Sequence, residues 1–439
     1  MKRIASNIVH YFSHWWIYIR IMAKWTLVAG VVGTISGLVG SAFHIGVEIA
    51  TEFRGEHPWM LYLLPVAGLI IIAIYKLARA EKLGTNNIIE EVQLGRGVSL
   101  TLLPAIFAAT VLTHLCGGSA GREGAALQMG GTIGYQTGRL FRLDDKDIRM
   151  TTMMGMAALF SALFGTPLAA TVFALEVISI GLIYHAALVP CFLSALVAYG
   201  ISLVLGVRPT RFPVYVPAHD AFTFLKVAGL AILCALVAVL FCGVMHLAEH
   251  VMKKYLKNPW LRVVVGGAAV IVLTLLVGTQ EYNGAGVVSI TRAVGMGETK
   301  PLSFLLKILI TAITLAAGFK GGEVVPSFFV GATFGALAGP LLGIHPGFAA
   351  AIGLVSVFCG AVNCPIASIF LAIELFGTRG ALFYTLACGI SFVLSGYSGL
   401  YSSQRILYSK LKMQYIDVHT NAHHAGEVTE AERAHPVKK

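Results

Sequence analysis

Two carboxylates stand out as residues that could do chemistry: Glu123 in GGSAGREG (117–124) and Glu323 in GFKGGEVVP (318–326). Each lies among glycines just before an apolar stretch. An ionisable side chain within a membrane segment is costly and points to function, commonly a proton relay. Glycine lets backbone amides approach an ion closely, and a helix start presents unsatisfied N–H groups with about half a positive charge. A carboxylate there can fill the site as a tethered anion, and protonation removes its charge and frees the site. One residue would then couple proton movement to anion movement. A third segment, Gly84-Thr85-Asn86-Asn87-Ile88, adds Thr and Asn side chains suited to a helix start. Arg122 and Lys320 flank the two acids, so surface salt bridges are the competing reading.

The elements that must position these residues are membrane helices. Of 439 residues, 57% are apolar and only 12% charged, with a mean hydropathy of +0.79. That excess excludes a soluble enzyme or a nucleic-acid-binding protein. The net charge of +11 is read as basic residues gathered at cytoplasmic ends and facing anionic lipid, with no nucleic-acid partner. Apolar stretches long enough to span a bilayer occupy 26–52, 58–78, 98–116, 181–206, 221–250, 260–278, 301–317 and 379–396. Shorter pieces broken by Gly and Pro lie at 124–141, 150–164, 167–180, 326–343, 346–363 and 365–377. Broken helices are tolerated in a bilayer where they are buried or line a cavity. Basic clusters at 76–82, 139–149 and 253–262 predict cytoplasmic loops. The seven cysteines fall mostly in apolar segments without a CxxC pair, which predicts buried thiols and neither disulfides nor a metal site.

The chain repeats itself. Gly121, Gly130, Thr132 and Gly134 fall in register with Gly322, Gly331, Thr333 and Gly335 at an offset of 201. TPLAATVFALE (166–176) matches CPIASIFLAIE (364–374) at an offset of 198, which pairs Pro167 with Pro365 and Glu176 with Glu374. Gly84 likewise falls on Gly284. Glu176 and Glu374, kept by both repeats, are read as structural. Duplicated, broken, Gly-rich helices predict a transporter whose site lies between the repeats near the midplane. The expected organisation is an N-terminal interfacial or cytoplasmic helix (1–24), a first membrane repeat (25–206), a second repeat with the last pathway helix (207–412), and a polar cytoplasmic tail (413–439). The tail carries His419, His423, His424 and His435 and is expected to be disordered and not metal-binding.

GGSAGREGAALQMGGTIG resembles the GxxxGxEGPxxQxGxxxG block of CLC anion channels and exchangers, with Glu123 on the gating glutamate. TPLAATVFALE resembles the same family's APLAGxxFxxE block, and LYSSQRIL places Tyr401 on the tyrosine that contacts the central anion. The resemblance spans about residues 84–408 and implies an all-α polytopic fold of inverted-topology repeats with broken and re-entrant helices, assembled as a homodimer. Departures select a branch. GTNN stands where chloride-type members have GSGIP, Ala125 replaces a proline, and GGEVVP replaces GGxFxP. These forms resemble the fluoride/proton antiporter subfamily, which has a glutamate at the position of Glu323. Val177 stands where chloride exchangers keep an internal proton-handling glutamate, which raises the weight on Glu323. Members of the fluoride branch often have Thr at the position of Val325.

The expected function is fluoride export by proton antiport across the inner (plasma) membrane, without cofactor or enzymatic activity. Glu123 and Glu323 are the gating and proton-transfer residues. Thr85, Asn86, Asn87, Gly121, Arg122, Val324, Val325 and Tyr401 are the anion-binding set. Amide, Asn and Tyr donors suit an anion that gives up its water reluctantly. Phe328 and Phe329 could turn ring edges toward it, or simply pack. The alternatives are a chloride/proton exchanger or passive anion channel of the same superfamily, and a membrane-embedded enzyme using His114 or His246. The last is weakened by the absence of HExxH and GxS-type motifs.

Overall fold

The structure, a computed structural model, describes residues 2–421 apart from Lys82, with side chains from residue 15 onward. His423, His424 and His435, and the tail they belong to, lie outside the described residues. Sixteen α-helices are present among the described residues. The first eight are α1 (Lys2–Glu56), α2 (Leu64–Leu77), α3 (Thr85–Leu94), α4 (Leu102–Leu115), α5 (Glu123–Leu140), α6 (Asp145–Phe164), α7 (Pro167–Glu176) and α8 (Leu188–Val204). The second eight repeat the order: α9 (Ala221–Tyr255), α10 (Pro259–Val277), α11 (Val287–Met296), α12 (Ser303–Ala317), α13 (Val324–Ala338), α14 (Pro346–Val362), α15 (Pro365–Phe376) and α16 (Ala381–Leu394). Long α1 and α9 open the halves, and short α3 and α11 take the same place in each. Six helical stretches are long and apolar enough to cross a membrane, including Trp15–Glu56, Ala221–Tyr255 and Val324–Leu342. The chain is a multi-pass membrane protein.

Local chemistry sets the helix limits. Proline at the first helical position starts α7, α10, α14 and α15, where its missing N–H costs nothing. Asp144 and Asp220 cap α6 and α9 by accepting the amides of Asp147 (2.8 Å) and Thr223 (3.0 Å). The matched helices α6 and α14 both end in a left-handed residue, Gly165 (φ 68°) and Asn363 (φ 58°), the two types that adopt it most readily. Within each half, two helices cross at glycine. A side chain on Gly130 would strike the carbonyl of Gly155 where α5 meets α6, and one on Gly331 would strike that of Gly353 where α13 meets α14. Without a hydrophobic drive between helices in lipid, such small-residue contact is what holds them together.

Repeat-matched residues bind each other across the halves. Gly121 and Gly322 exchange backbone hydrogen bonds, N to O 2.7 Å one way and 2.8 Å the other, as an isolated antiparallel bridge. The Glu176 carboxylate accepts from the amides of Ile366 (3.2 Å) and Ala367 (2.9 Å) at the start of α15. Glu374 does the same to Leu168 (3.1 Å) and Ala169 (2.9 Å) at the start of α7. Each half thus caps a helix of the other, and the paired segments run in opposite directions as an inverted repeat requires.

Two expectations need correction. The helix that begins at Lys2 runs unbroken to Glu56, so residues 1–24 do not form a separate helix and continue straight into the first span. The start of the tail is ordered, because alternating Ile416 and Val418 have a small apolar cluster to fill. Strands β1 (Ser179–Ile180), β2 (Arg405–Tyr408) and β3 (Tyr415–His419) form one sheet, β1 parallel to β2 and β2 antiparallel to β3. The free cysteines are all buried, and no cluster of metal-ligating side chains occurs among the described residues.

Candidate functional site

Three of the Gly-bearing segments start helices: α3 at Thr85, α5 at Glu123 and α13 at Val324. The ends of α5 and α13 are brought together by the Gly121–Gly322 bridge. Glu123 is fully buried there. Its Oε2 accepts the amides of Arg122 (3.0 Å) and Val325 (3.2 Å), so the carboxylate of one half occupies the helix start of the other. Its Oε1 is buried without a partner. A carboxylate held by backbone amides at a helix start occupies a position suited to negative charge.

Two cavities are lined by neighbours of Glu123, one by Gly321 and Glu323 and the other by Arg122. One, of about 740 Å³, is lined by Thr85, Asn86, Asn87, Gln128, Glu323 and Tyr401 and opens among Lys253, Arg262 and Glu81. Its mouth lies at the basic 253–262 loop, expected from its sequence to be cytoplasmic, and it is called inner below. The other, of about 520 Å³, reaches Arg122, His114 and Arg54 past Glu48 and Glu52. It is called outer.

The inner cavity holds half of the expected set. Half-buried Glu323 lines it from the N-cap position of α13, where its side chain makes no capping hydrogen bond. Thr85 Oγ1 accepts from Gln128 Nε2 at 3.1 Å. Asn87 Oδ1 accepts the Gly84 amide at 2.8 Å and so caps α3. Asn86 reaches the Tyr401 loop, donating to Ser402 Oγ (3.1 Å) and accepting from the Ser403 amide (3.2 Å). Tyr401 is buried and its hydroxyl has no protein partner, which leaves its proton free for an occupant of the cavity. The ordered tail buttresses this loop: Thr420 donates its amide to Gln404 O (2.9 Å), and Asn421 Oδ1 accepts the Gly399 amide (3.0 Å).

Other residues fall elsewhere. The Gly121 amide is spent on Gly322 O and is not available to an anion. Arg122 reaches Glu123 only through its backbone, while its Nη1 lies 3.0 Å from His44 Nδ1 in the outer cavity. Val324 is buried, with its amide at the start of α13. Neither Arg122 nor Lys320 forms an ion pair among the described residues; Lys320 lies over the Tyr75 ring at 4.2 Å. Phe328 is packed edge-on against Phe164 and Phe358, and Phe329 against Tyr282. His114 and His246 have no acid in hydrogen-bonding contact among the described residues. Sequence reasoning missed Gln128, whose Oε1 is buried and unpartnered. Its signal was its place on α5, five residues beyond Glu123.

Inverted repeats of broken helices around a buried carboxylate define a polytopic membrane transporter. Residues 67–396 match the family model described as voltage gated chloride channel. A chloride/fluoride channel protein of Pseudomonas syringae pv. tomato is 37% identical over 399 residues, covering 89% of this chain and 88% of its own. The chain belongs to this family, the CLC proteins. An H(+)/Cl(-) exchange transporter of Vibrio vulnificus is 26% identical over 383 residues, 79% of this chain and 81% of the relative. Among solved structures, a CLC-type fluoride/proton antiporter superposes with a TM-score of 0.85 at 32% identity, covering 88% of this chain and 98% of that one. A slow cyanobacterial Cl-/H+ antiporter superposes at 0.75 with 19% identity, which shows the shared fold.

Proposed function

We propose that the protein exports fluoride in exchange for protons across the inner membrane, as a homodimer with one pathway per subunit and its exposed apolar faces in lipid. The observation that carries this reading is the fully buried Glu123 carboxylate held by the Arg122 and Val325 amides where the two repeats meet. Deprotonated, it fills the amide site and closes the path. A proton arriving from outside neutralises it, the side chain leaves, and an anion from the inner cavity takes its place, met by the Tyr401 hydroxyl and the Thr85–Gln128 pair. Glu323, at the inner mouth, passes the proton to the cytoplasm.

The fluoride branch is supported by the GTNN and GGEV segments and by likeness to the fluoride/proton antiporter structure. Thr and Asn side chains at the inner cavity add donors for an anion whose dehydration is costly. Reconstituted into liposomes, the Glu123→Gln protein should release fluoride without moving protons. A Glu123→Gln protein that still exchanges the two ions in a fixed ratio would remove Glu123 from this role.

A further inference from the structure

The floor of the outer cavity is more basic than its mouth. Arg54, 8% exposed at the end of α1, donates Nη1 to the His114 carbonyl at 2.8 Å. Lys307, fully buried on α12, donates Nζ to the carbonyls of Tyr282 (3.0 Å) and Gly284 (2.7 Å). The guanidinium of Arg54 crowds the same Gly284 from its other side. Arg54 and Arg122 line the cavity, Lys307 lies behind Gly284, and none of the three has a carboxylate ion-pair partner among the described residues. Of the acids lining the cavity, Glu281 takes Arg292 (3.1 Å) and Lys300 (2.6 Å), Glu48 lies 3.6 Å from His44, and Glu52 is exposed to solvent. Buried charge without a counter-ion is costly, so the compensating charge must enter from the cavity.

His114 identifies what comes with it. Its Nδ1 lies 2.9 Å from Thr110 O, and a carbonyl only accepts, so Nδ1 carries the proton. Nε2 is then a bare lone pair, fully buried and unpartnered, on a residue that lines the cavity. It needs a donor, which a cation-lined cavity supplies as a water in an anion's shell.

We propose that the outer cavity holds a second anion site, a small hydrated halide against the Arg54 guanidinium with one of its waters on His114 Nε2. Lys307 and Arg122 add attraction from behind and from the side of Glu123. Its use as the station between Glu123 and the outer solvent rests on the transport reading above, while the binding itself does not. Bromide is the probe. Crystals of the intact protein grown in sodium bromide should show an anomalous peak within hydrogen-bonding distance of Arg54, separate from any peak beside Tyr401. Arg54→Gln should abolish the Arg54 peak alone, and Arg54→Lys, which keeps the charge, should retain it. A wild-type crystal without the peak, or a peak that survives Arg54→Gln, overturns the site whatever the variants' stability. Fluoride flux without the peak would refute this inference and leave the proposed function standing; the peak without fluoride flux would do the reverse.

Discussion

Glu176 and Glu374 offer a quantitative test of the reciprocal capping that joins the repeats. Glu176 is 6% exposed, and its two oxygens satisfy the amides of Ile366 and Ala367. Glu176→Ala leaves the buried Ala367 amide with no acceptor, while the amide of Ile366, a residue 42% exposed, is less costly to free. A buried orphan costs roughly 1–3 kcal/mol, and the loss of negative charge at a helix start adds about 0.3–1 kcal/mol. A destabilisation of about 1–4 kcal/mol follows. Glu176→Gln keeps one acceptor and should lose about half of that. Glu374 makes the matched contacts from a half-buried position, so water can replace it, and Glu374→Ala should cost about 1–2 kcal/mol. Unfolding of the purified protein in mixed micelles, followed by denaturant titration, reads these differences. A Glu176→Ala cost below about 1 kcal/mol, or a larger cost at Glu374, would refute the reasoning.

Three further outcomes are expected. A methyl group on Gly121 would occupy the space of Glu123 Oε2, so Gly121→Ala should displace the carboxylate and reduce fluoride flux at least about tenfold, a barrier change of roughly 1.4 kcal/mol; unchanged, coupled flux would show that the carboxylate does not need that seat. Asn86→Ala removes both hydrogen bonds to the Tyr401 loop, and weaker halide binding at Tyr401, read as an apparent affinity lowered about tenfold, should follow. Burial alone would raise the Asp417 carboxyl, but the Arg405 fork at 2.6 and 2.5 Å holds it below its ordinary value of 3.8. The strand pairing it supports is therefore complete above 3.8 and fades as pH falls from there toward the folded value. Hydrogen exchange at Ile416 and Val418 should show this fading, and Asp417→Asn should abolish the pH dependence.

The helix inventory was largely legible because membrane spans are read from composition, and Gly and Pro punctuate the broken ones. Glu123 and the Gly121–Gly322 meeting point were legible for a different reason: the repeat aligns them at one offset. Matching Glu176 with Glu374 showed that both were structural, but not that each reaches into the other half, since an offset carries no distance. The Gly121 amide was misassigned because position in a motif does not reveal which amide is already bonded. The ordered start of the tail was missed because β2 and β3 are short, and their apolar alternation is weak beside the spans. The outer cluster of Arg54, His114 and Lys307 had no signal at all. Its members are 60 and 193 residues apart in sequence, from α1 to α4 and from α4 to α12, and only folding assembles them.

The central claim, that one carboxylate exchanges places with an anion and so ties proton to fluoride, is tested most directly by flux in sealed liposomes holding the wild-type protein. With fluoride loaded inside and no proton gradient, fluoride efflux should drive protons inward against a growing pH difference, in a constant ratio to the fluoride released. Fluoride release with no accompanying proton entry would contradict it.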